Sequence, residues 1–122
     1  MSKLTASTQF LNVLVQVKPG TKPGTQYTVQ TAPAIPYVTQ PDTVINYQIY
    51  DTSGFDIVFT GVTVVPADND QLSPASVSIS GKQLTFTDAN TKSITFNIIL
   101  NFKDKDGVEF SHDPQIQNDP QS

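Results

Sequence analysis

Residues 93–103 read Ser-Ile-Thr-Phe-Asn-Ile-Ile-Leu-Asn-Phe-Lys, and this stretch decides the fold class. Its apolar side chains recur at every second position: Ile94, Phe96, Ile98, Leu100 and Phe102. Successive side chains of a β-strand point to opposite faces, so the alternation predicts a strand with one buried face. Ile99 is the apolar exception on the polar face. We expect a loop or another subunit to cover it in part.

Other segments alternate in the same way and end in turn-forming residues. Leu11 to Val17 stops at Lys18-Pro19-Gly20, and Ile45 to Ile49 precedes the turn at Asp51-Thr52-Ser53-Gly54. Proline cannot donate to a strand ladder, and glycine adopts turn conformations at little cost. Gly61 inside an apolar run indicates a β-bulge. Further strands are predicted over residues 25–30, 55–65, 77–79, 84–86 and 108–112.

Short strands separated by turns at intervals of about ten residues are typical of a sandwich of two sheets. The sequence therefore predicts an all-β, antiparallel two-sheet β-sandwich of seven or eight strands, and an immunoglobulin-like topology is favoured over a jelly roll. The 122 residues fit a single domain. We assign residues 1–112 to the sandwich and residues 113–122 to an extended C-terminal tail that contains two Asp-Pro pairs.

The chain is predicted to have a polar but weakly charged, acidic surface. Charged residues make up 15% of it, whereas Thr, Ser, Gln and Asn number 15, 10, 11 and 7. The formal net charge is -4 at pH 7, and arginine is absent. Nucleic acids and anionic membranes require a basic surface, so we expect neither as a partner.

The sequence shows no clear motif for binding a cofactor and no clear membrane-spanning segment. Cysteine is absent, which excludes thiolate nucleophiles and cysteine-ligated metals. The dispersed glycines form no phosphate-binding loop, so no cofactor is predicted. No segment reaches the roughly 20 apolar residues of a membrane helix. The apolar run near the N-terminus is interrupted by Asn12 and Gln16 and does not resemble a signal peptide, so we expect a cytoplasmic protein.

His112 is the only histidine, so histidine-based acid–base or triad chemistry would pass through it. Ser111 and Asp113 flank it, but adjacent residues of a strand point to opposite faces and cannot form a triad locally. The sequence therefore predicts no catalytic residues. A hydrolase that uses His112 ranks last among the functional hypotheses.

Asp104 and Asp106, followed by Gly107, are the weak candidates for metal binding. Hard cations favour carboxylate oxygens at alternating positions, as at the start of a calcium loop. Val108 and Phe110 stand where such a loop would supply further oxygen ligands. An Asp-Gly pair is a strong hairpin signal, so we interpret the segment as a hairpin turn and predict no metal site.

The C-terminal tail combines its two Asp-Pro pairs with one apolar residue, and each proline restricts the backbone. We expect this tail to dock on a neighbouring subunit of a homo-oligomer. The predicted binding residues are Asp113, Pro114, Ile116, Asn118, Asp119 and Pro120. Alternatively, Tyr27 and Tyr37 could stack on a sugar or another small ligand near the proline-rich segment 32–41.

The same tail carries a family resemblance. His112-Asp113-Pro114, Ile116, Asn118 and Asp119-Pro120, after the hairpin at Lys105-Asp106-Gly107, resemble the DP-EP family of small bacterial β proteins. A more distant similarity is to the PixA/AidA inclusion-body proteins. The resemblance implies a bacterial β-sandwich with no established activity, and it supplies no catalytic residues.

These observations favour a non-enzymatic binding or self-assembly module. A domain that binds a small ligand or a carbohydrate is the alternative. The two hypotheses differ in whether the tail or the tyrosines form the contact surface, and neither identifies the ligand.

Overall fold

The structure is a computed structural model that describes residues 9–20 and 26–121. These residues form ten strands and no helix, so this part of the chain contains no helix that could cross a membrane. The strands are β1 (Phe10–Pro19), β2 (Tyr27–Ala32), β3 (Tyr37–Val38), β4 (Thr43–Asp51), β5 (Val58–Val65), β6 (Ser76–Val77), β7 (Gln83–Asp88), β8 (Thr95–Lys103), β9 (Glu109–His112) and β10 (Gln115–Asn118). Residue 25, where the sequence places the start of the second strand, lies outside the described residues.

The strands form two sheets, which confirms the all-β, two-sheet sandwich. The first sheet has the order β2-β1-β4-β7-β6, and the second has the order β3-β10-β8-β5, with β9 also paired to β8. Two neighbouring pairs, β1 with β4 and β3 with β10, are parallel. The sheets are therefore mixed, where the sequence predicted antiparallel ones, and the described residues form ten strands instead of the seven or eight predicted. β1 and β2 pair antiparallel in the first sheet, and the chain then enters the second sheet at β3. It comes back to the first sheet at β4, which runs parallel to β1.

The core lies between the sheets, where the alternating apolar side chains meet. On β8, Phe96, Ile98, Leu100 and Phe102 are all 0% exposed, as the alternation predicts. Val13, Val15 and Val17 of β1 and Tyr47 of β4 are buried in the same core cluster. Ile99 is half-buried on the other face of β8, opposite Thr63. The pairing of β5 with β8 shifts register between Phe59 and Gly61, which confirms the bulge.

β9 and β10 are two halves of one long strand along β8. His112 lies opposite Leu100, and Gln115 lies opposite Asn97, so the register is the same on both sides of Asp113-Pro114. Pro114 has no N–H, but its carbonyl accepts a hydrogen bond of 2.8 Å from the backbone N–H of Ile98. The segment that we predicted as a separate tail therefore contributes a strand to the second sheet.

The two ends of the sandwich differ in chemistry. One end, which we call the Asp88 end, contains the start of β4, the end of β7 and the end of β10, since Thr43 pairs with Asp88. The other end, which we call the Tyr27 end, contains the end of β1 and the loop after β8, since Pro19 pairs with Tyr27. Each end gathers polar side chains from both sheets.

Candidate ligand-binding site

A hydrogen bond between the two sheets organises the Tyr27 end. The hydroxyl of Tyr27, at the start of β2, donates to Oδ2 of Asp104, just after β8, over 2.7 Å. The other carboxylate oxygen, Oδ1, accepts the backbone N–H groups of Asp106 and Val108, each at 2.9 Å. Asp104 is only 6% exposed. The hairpin turn predicted here thus holds a fixed, buried carboxylate.

These hydrogen bonds determine the charge state of the pair. The hydrogen bond from Tyr27, together with the two backbone N–H groups, lowers the pKa of Asp104. Burial and the hydrogen bond to Asp104 raise the pKa of Tyr27. At neutral pH the pair is therefore an ionised carboxylate and a protonated phenol.

A row of aromatic rings leads from the core to this pair. Phe59 stacks on Phe102 with ring centroids 5.1 Å apart, and Phe102 stacks on Phe110 at 5.0 Å. Phe110 stacks on Tyr27 at 4.5 Å, and Phe55 meets the Tyr27 ring edge-on at 5.7 Å. Each contact lies in the range of favourable aromatic pairs. The row therefore fixes the Tyr27 ring at the surface.

A cavity of about 450 Å³ opens beside this ring. Its lining includes Tyr27, Phe55, Asp56, Asp104, Lys105 and Asp106. The volume falls within the roughly 300–1,000 Å³ of small-molecule sites. Three carboxylates and one ammonium group give the lining a net negative charge. The cavity thus combines aromatic surface with fixed negative charge, an arrangement that attracts small cations.

Sequence reasoning found only part of this site. It singled out Tyr27, Asp104 and Asp106, but it assigned them to different hypotheses and missed Phe55 and Asp56. Phe55 follows the predicted turn at residues 51–54, and its backbone N–H donates to the carbonyl of Thr52 at 3.0 Å. An aromatic residue and an aspartate directly after that turn were the available signal.

Tyr37 does not contribute to the cavity. It lies on β3 in the second sheet, opposite Gln117, and its side chain is 61% exposed. Tyr27 lies at the opposite end of the sandwich, on the outer strand of the first sheet. The structure therefore separates the two tyrosines that the sequence grouped together.

Asp104 has little capacity left for a metal ion. Both of its carboxylate oxygens accept hydrogen bonds from within the chain. Among residues 9–20 and 26–121, no group of three His, Asp or Glu side chains gathers around Asp104 or at any other place. The Asp104 loop acts as a hairpin turn and as a wall of the cavity.

His112 is half-buried on β9, while Ser111 and Asp113 are exposed. Burial lowers the pKa of His112, and the carboxylate of Asp113 opposes this effect. Strand alternation directs Ser111 and Asp113 to the outer face of the sheet and His112 to the inner face. The structure does not bring a hydroxyl and a carboxylate together on the histidine ring.

The predicted tail residues divide between the two faces of their strand. Pro114, Ile116 and Asn118 are buried inside the sandwich, whereas Asp113 and Asp119 are exposed and Pro120 is half-buried. Ile116, the proposed anchor on a neighbouring subunit, is 0% exposed in the chain's own core. Its burial results from the pairing of β10 with β8.

Two mixed sheets with an aromatic, acidic cavity at one end define a small β-sandwich domain. A comparison with protein-family models matches residues 9–120 to the DP-EP family. The chain belongs to that family, which confirms the resemblance of the tail. The family is a domain of unknown function, and a search of curated proteins finds no match.

Proposed function

We propose that this protein is a non-catalytic binding module that holds a small organic cation, such as an amine, in the cavity at the Tyr27 end. The observation that carries the proposal is the pairing of exposed aromatic surface with carboxylates in one cavity. Cations are attracted both to the faces of aromatic rings and to carboxylates. Lys105 adds one positive charge to the lining, which does not cancel the three carboxylates, so the lining stays acidic.

The site is preorganised, which supports binding rather than a purely structural role. Asp104 is held by three hydrogen bonds, and Tyr27 is held by contacts with Phe55 and Phe110. A ligand would not have to order these groups, so little conformational entropy would be lost on binding. Phe55 is 43% exposed and presents apolar surface that a ligand would cover.

NMR titration with choline, putrescine and glucose tests the proposal. We expect the two cations, at millimolar concentration, to shift the backbone amide signals of Gln26, Phe55 and Asp106. Phe55→Ala and Asp56→Asn should each weaken the effect, because they remove an aromatic face and a carboxylate. Tyr50→Ala is the matched control, since Tyr50 is an exposed aromatic residue outside the cavity lining.

Three outcomes would overturn this proposal. If neither cation shifts these signals, the cavity does not bind small amines. If glucose binds with the same dependence on Phe55 and the cations do not, the module recognises neutral sugars instead. Retention of cation binding in both cavity variants would place the site elsewhere.

Self-association stays a prediction, but Ile116 does not support it. A docking anchor would have to be exposed on the isolated chain, and Ile116 is completely buried. The exposed residues of the same segment are polar or charged. Light scattering on the full chain measures the oligomeric state directly.

A further inference from the structure

Two polar residues occupy core-facing positions at the Asp88 end. On β7, the buried side chains occupy alternate positions, and Asp88 is the next of these positions after Leu84 and Phe86. On β10, Asn118 follows Ile116 in the same way. Both Asp88 and Asn118 are 0% exposed. Since β7 and β10 belong to different sheets, these two side chains meet in the interior, where the Asn118 amide neighbours the Asp88 carboxyl without forming a hydrogen bond to its Oδ2.

Gln71 and Asn90 complete what we call the buried polar cluster, formed by Gln71, Asp88, Asn90 and Asn118. The backbone N–H of Asn90 donates to Oδ1 of Asp88 at 3.0 Å. Nδ2 of Asn118 donates to Oε1 of Gln71 at 3.5 Å. Asn90 is 3% and Gln71 is 5% exposed. All four residues are thus more than nine-tenths buried, and they form two hydrogen-bonded pairs, Asn90 with Asp88 and Asn118 with Gln71.

The buried polar cluster contains acceptor oxygens that no donor of the described residues reaches. Oδ2 of Asp88, Oδ1 of Asn90 and Oδ1 of Asn118 are buried and accept no hydrogen bond from residues 9–20 and 26–121. Nearly all buried polar atoms in folded proteins have a partner, and a desolvated acceptor without one costs free energy. Three such atoms, all of them oxygens, indicate a cluster suited to an electropositive group.

The charge of Asp88 is poorly compensated by nearby side chains. Asp70, which lies outside the cluster, accepts a hydrogen bond of 2.9 Å from Nε2 of Gln71. Lys92 pairs with Asp70 at 2.9 Å, but both of these side chains are more than half exposed. Asp88 is 0% exposed, and burial of an ionised carboxylate without a charged partner carries a large desolvation penalty. A cation next to the carboxylate would remove this penalty.

We propose that the buried polar cluster binds a hard metal cation of the calcium class through the carboxylate of Asp88 and the amide oxygens of Asn90 and Asn118. Calcium accepts carboxylate and amide oxygens in flexible geometry. Magnesium requires stricter octahedral geometry and keeps several waters, which suits a cluster between two sheets less well. The cluster offers no sulfur or imidazole, so metals that favour those ligands fit it poorly.

Such a cation would join the two sheets at this end of the sandwich. Asp88 belongs to the first sheet, Asn118 belongs to the second, and Asn90 follows β7 in the loop towards β8. A ligand that binds the folded state but not the unfolded state raises stability by mass action. Binding at this site is therefore expected to appear as stabilisation of the whole domain.

Thermal unfolding of the full chain, stripped of metal and then titrated with Ca²⁺ alone, tests the proposal. We expect the melting temperature to rise by several degrees when Ca²⁺ reaches about 100 times its dissociation constant. Asp88→Asn should abolish this rise, because it removes the only carboxylate of the cluster. Asp68→Asn is the matched control, since it removes an exposed carboxylate that is not part of the cluster and should keep the full rise.

Equilibrium dialysis of the wild-type chain against Ca²⁺ provides a measurement that does not depend on whether Asp88→Asn folds. We expect close to one bound calcium per chain. No bound calcium and no thermal shift would overturn the proposal. A calcium-dependent shift that Asp106→Asn removes and Asp88→Asn retains would also overturn it, because the cation would then bind at the Tyr27 end.

Discussion

Ile116 lies directly opposite Phe96 across the pairing of β10 with β8, and both side chains are completely buried. The strand that carries Ile116 lies within the segment that looks like a polar tail in the sequence. Its neighbours in the core belong to the most strongly alternating strand of the protein. The C-terminal segment is therefore part of the folding unit.

Ile116→Ala should destabilise the domain by about 2–5 kcal/mol, the usual cost of truncating a buried isoleucine. Gln115→Ala, one position earlier on the exposed face, should change stability by less than about 0.5 kcal/mol. Urea unfolding measures both values. If Ile116→Ala changed the oligomeric mass of the protein but not its stability, the result would contradict an intramolecular role for this residue.

Gly81→Ala should be more destabilising than Gly54→Ala. Both glycines have positive φ, 76° at Gly81 and 86° at Gly54. A Cβ atom at Gly81 would lie 2.6 Å from the Cβ of Val58, whereas a Cβ at Gly54 would have no neighbour within 4 Å. Backbone strain alone costs about 1–3 kcal/mol, and only Gly81 adds a steric clash. If urea unfolding showed the same loss of stability for Gly81→Ala and Gly54→Ala, the contact with Val58 would relax without cost.

Tyr47→Phe should leave stability unchanged or raise it by about 1 kcal/mol. The hydroxyl of Tyr47 is buried and has no hydrogen-bond partner among the described residues, and burial raises its pKa. Removing an unpaired buried hydroxyl removes its desolvation cost. Tyr50→Phe, on the exposed face of β4, is the control for loss of a hydroxyl in water. A clear loss of stability in Tyr47→Phe would reveal a partner for this hydroxyl.

Tyr27→Phe should raise the pKa of Asp104 and make the stability of the protein less sensitive to acid. The folded-state pKa of Asp104 lies below its ordinary value of 3.8, and the Tyr27 hydrogen bond is the largest cause. Ionised Asp104 therefore stabilises the fold above pH 3.8, and this contribution is lost as the pH falls through the folded-state pKa.

Carbon-detected NMR titration of the aspartate carboxyl groups measures the pKa of Asp104 in both proteins. Urea unfolding should show a larger difference between wild type and Tyr27→Phe at neutral pH than in acid. The same stability difference at both pH values would mean that the phenol acts only through packing.

Much of the fold is predictable because it depends on local alternation. The period-two pattern around Phe96 places that strand and its buried face correctly, and Gly61 marks the bulge in its partner β5. The same alternation in fact continues through Phe110, His112, Pro114, Ile116 and Asn118, which all face inward. Two Asp-Pro pairs and a polar composition concealed it, because proline normally ends a strand.

The candidate sites were less accessible to sequence reasoning. Tyr27 and Asp104 are 77 residues apart in sequence, and only the meeting of two sheets brings their side chains within 2.7 Å. Asp88 and Asn118 each look like turn or tail residues, although each occupies a core-facing position on its strand. An aspartate and an asparagine in the buried phase of two strands were the only local signals for the polar cluster.

The sequence by itself determined the β-sandwich class, the main strands and the family, because side-chain alternation and turn residues act over short stretches of chain. Only the tertiary structure decided the mixed sheets, the role of Ile116 in the core and the composition of both candidate sites. Parallel pairing and contacts between sheets depend on where distant segments meet, and a local pattern does not record that.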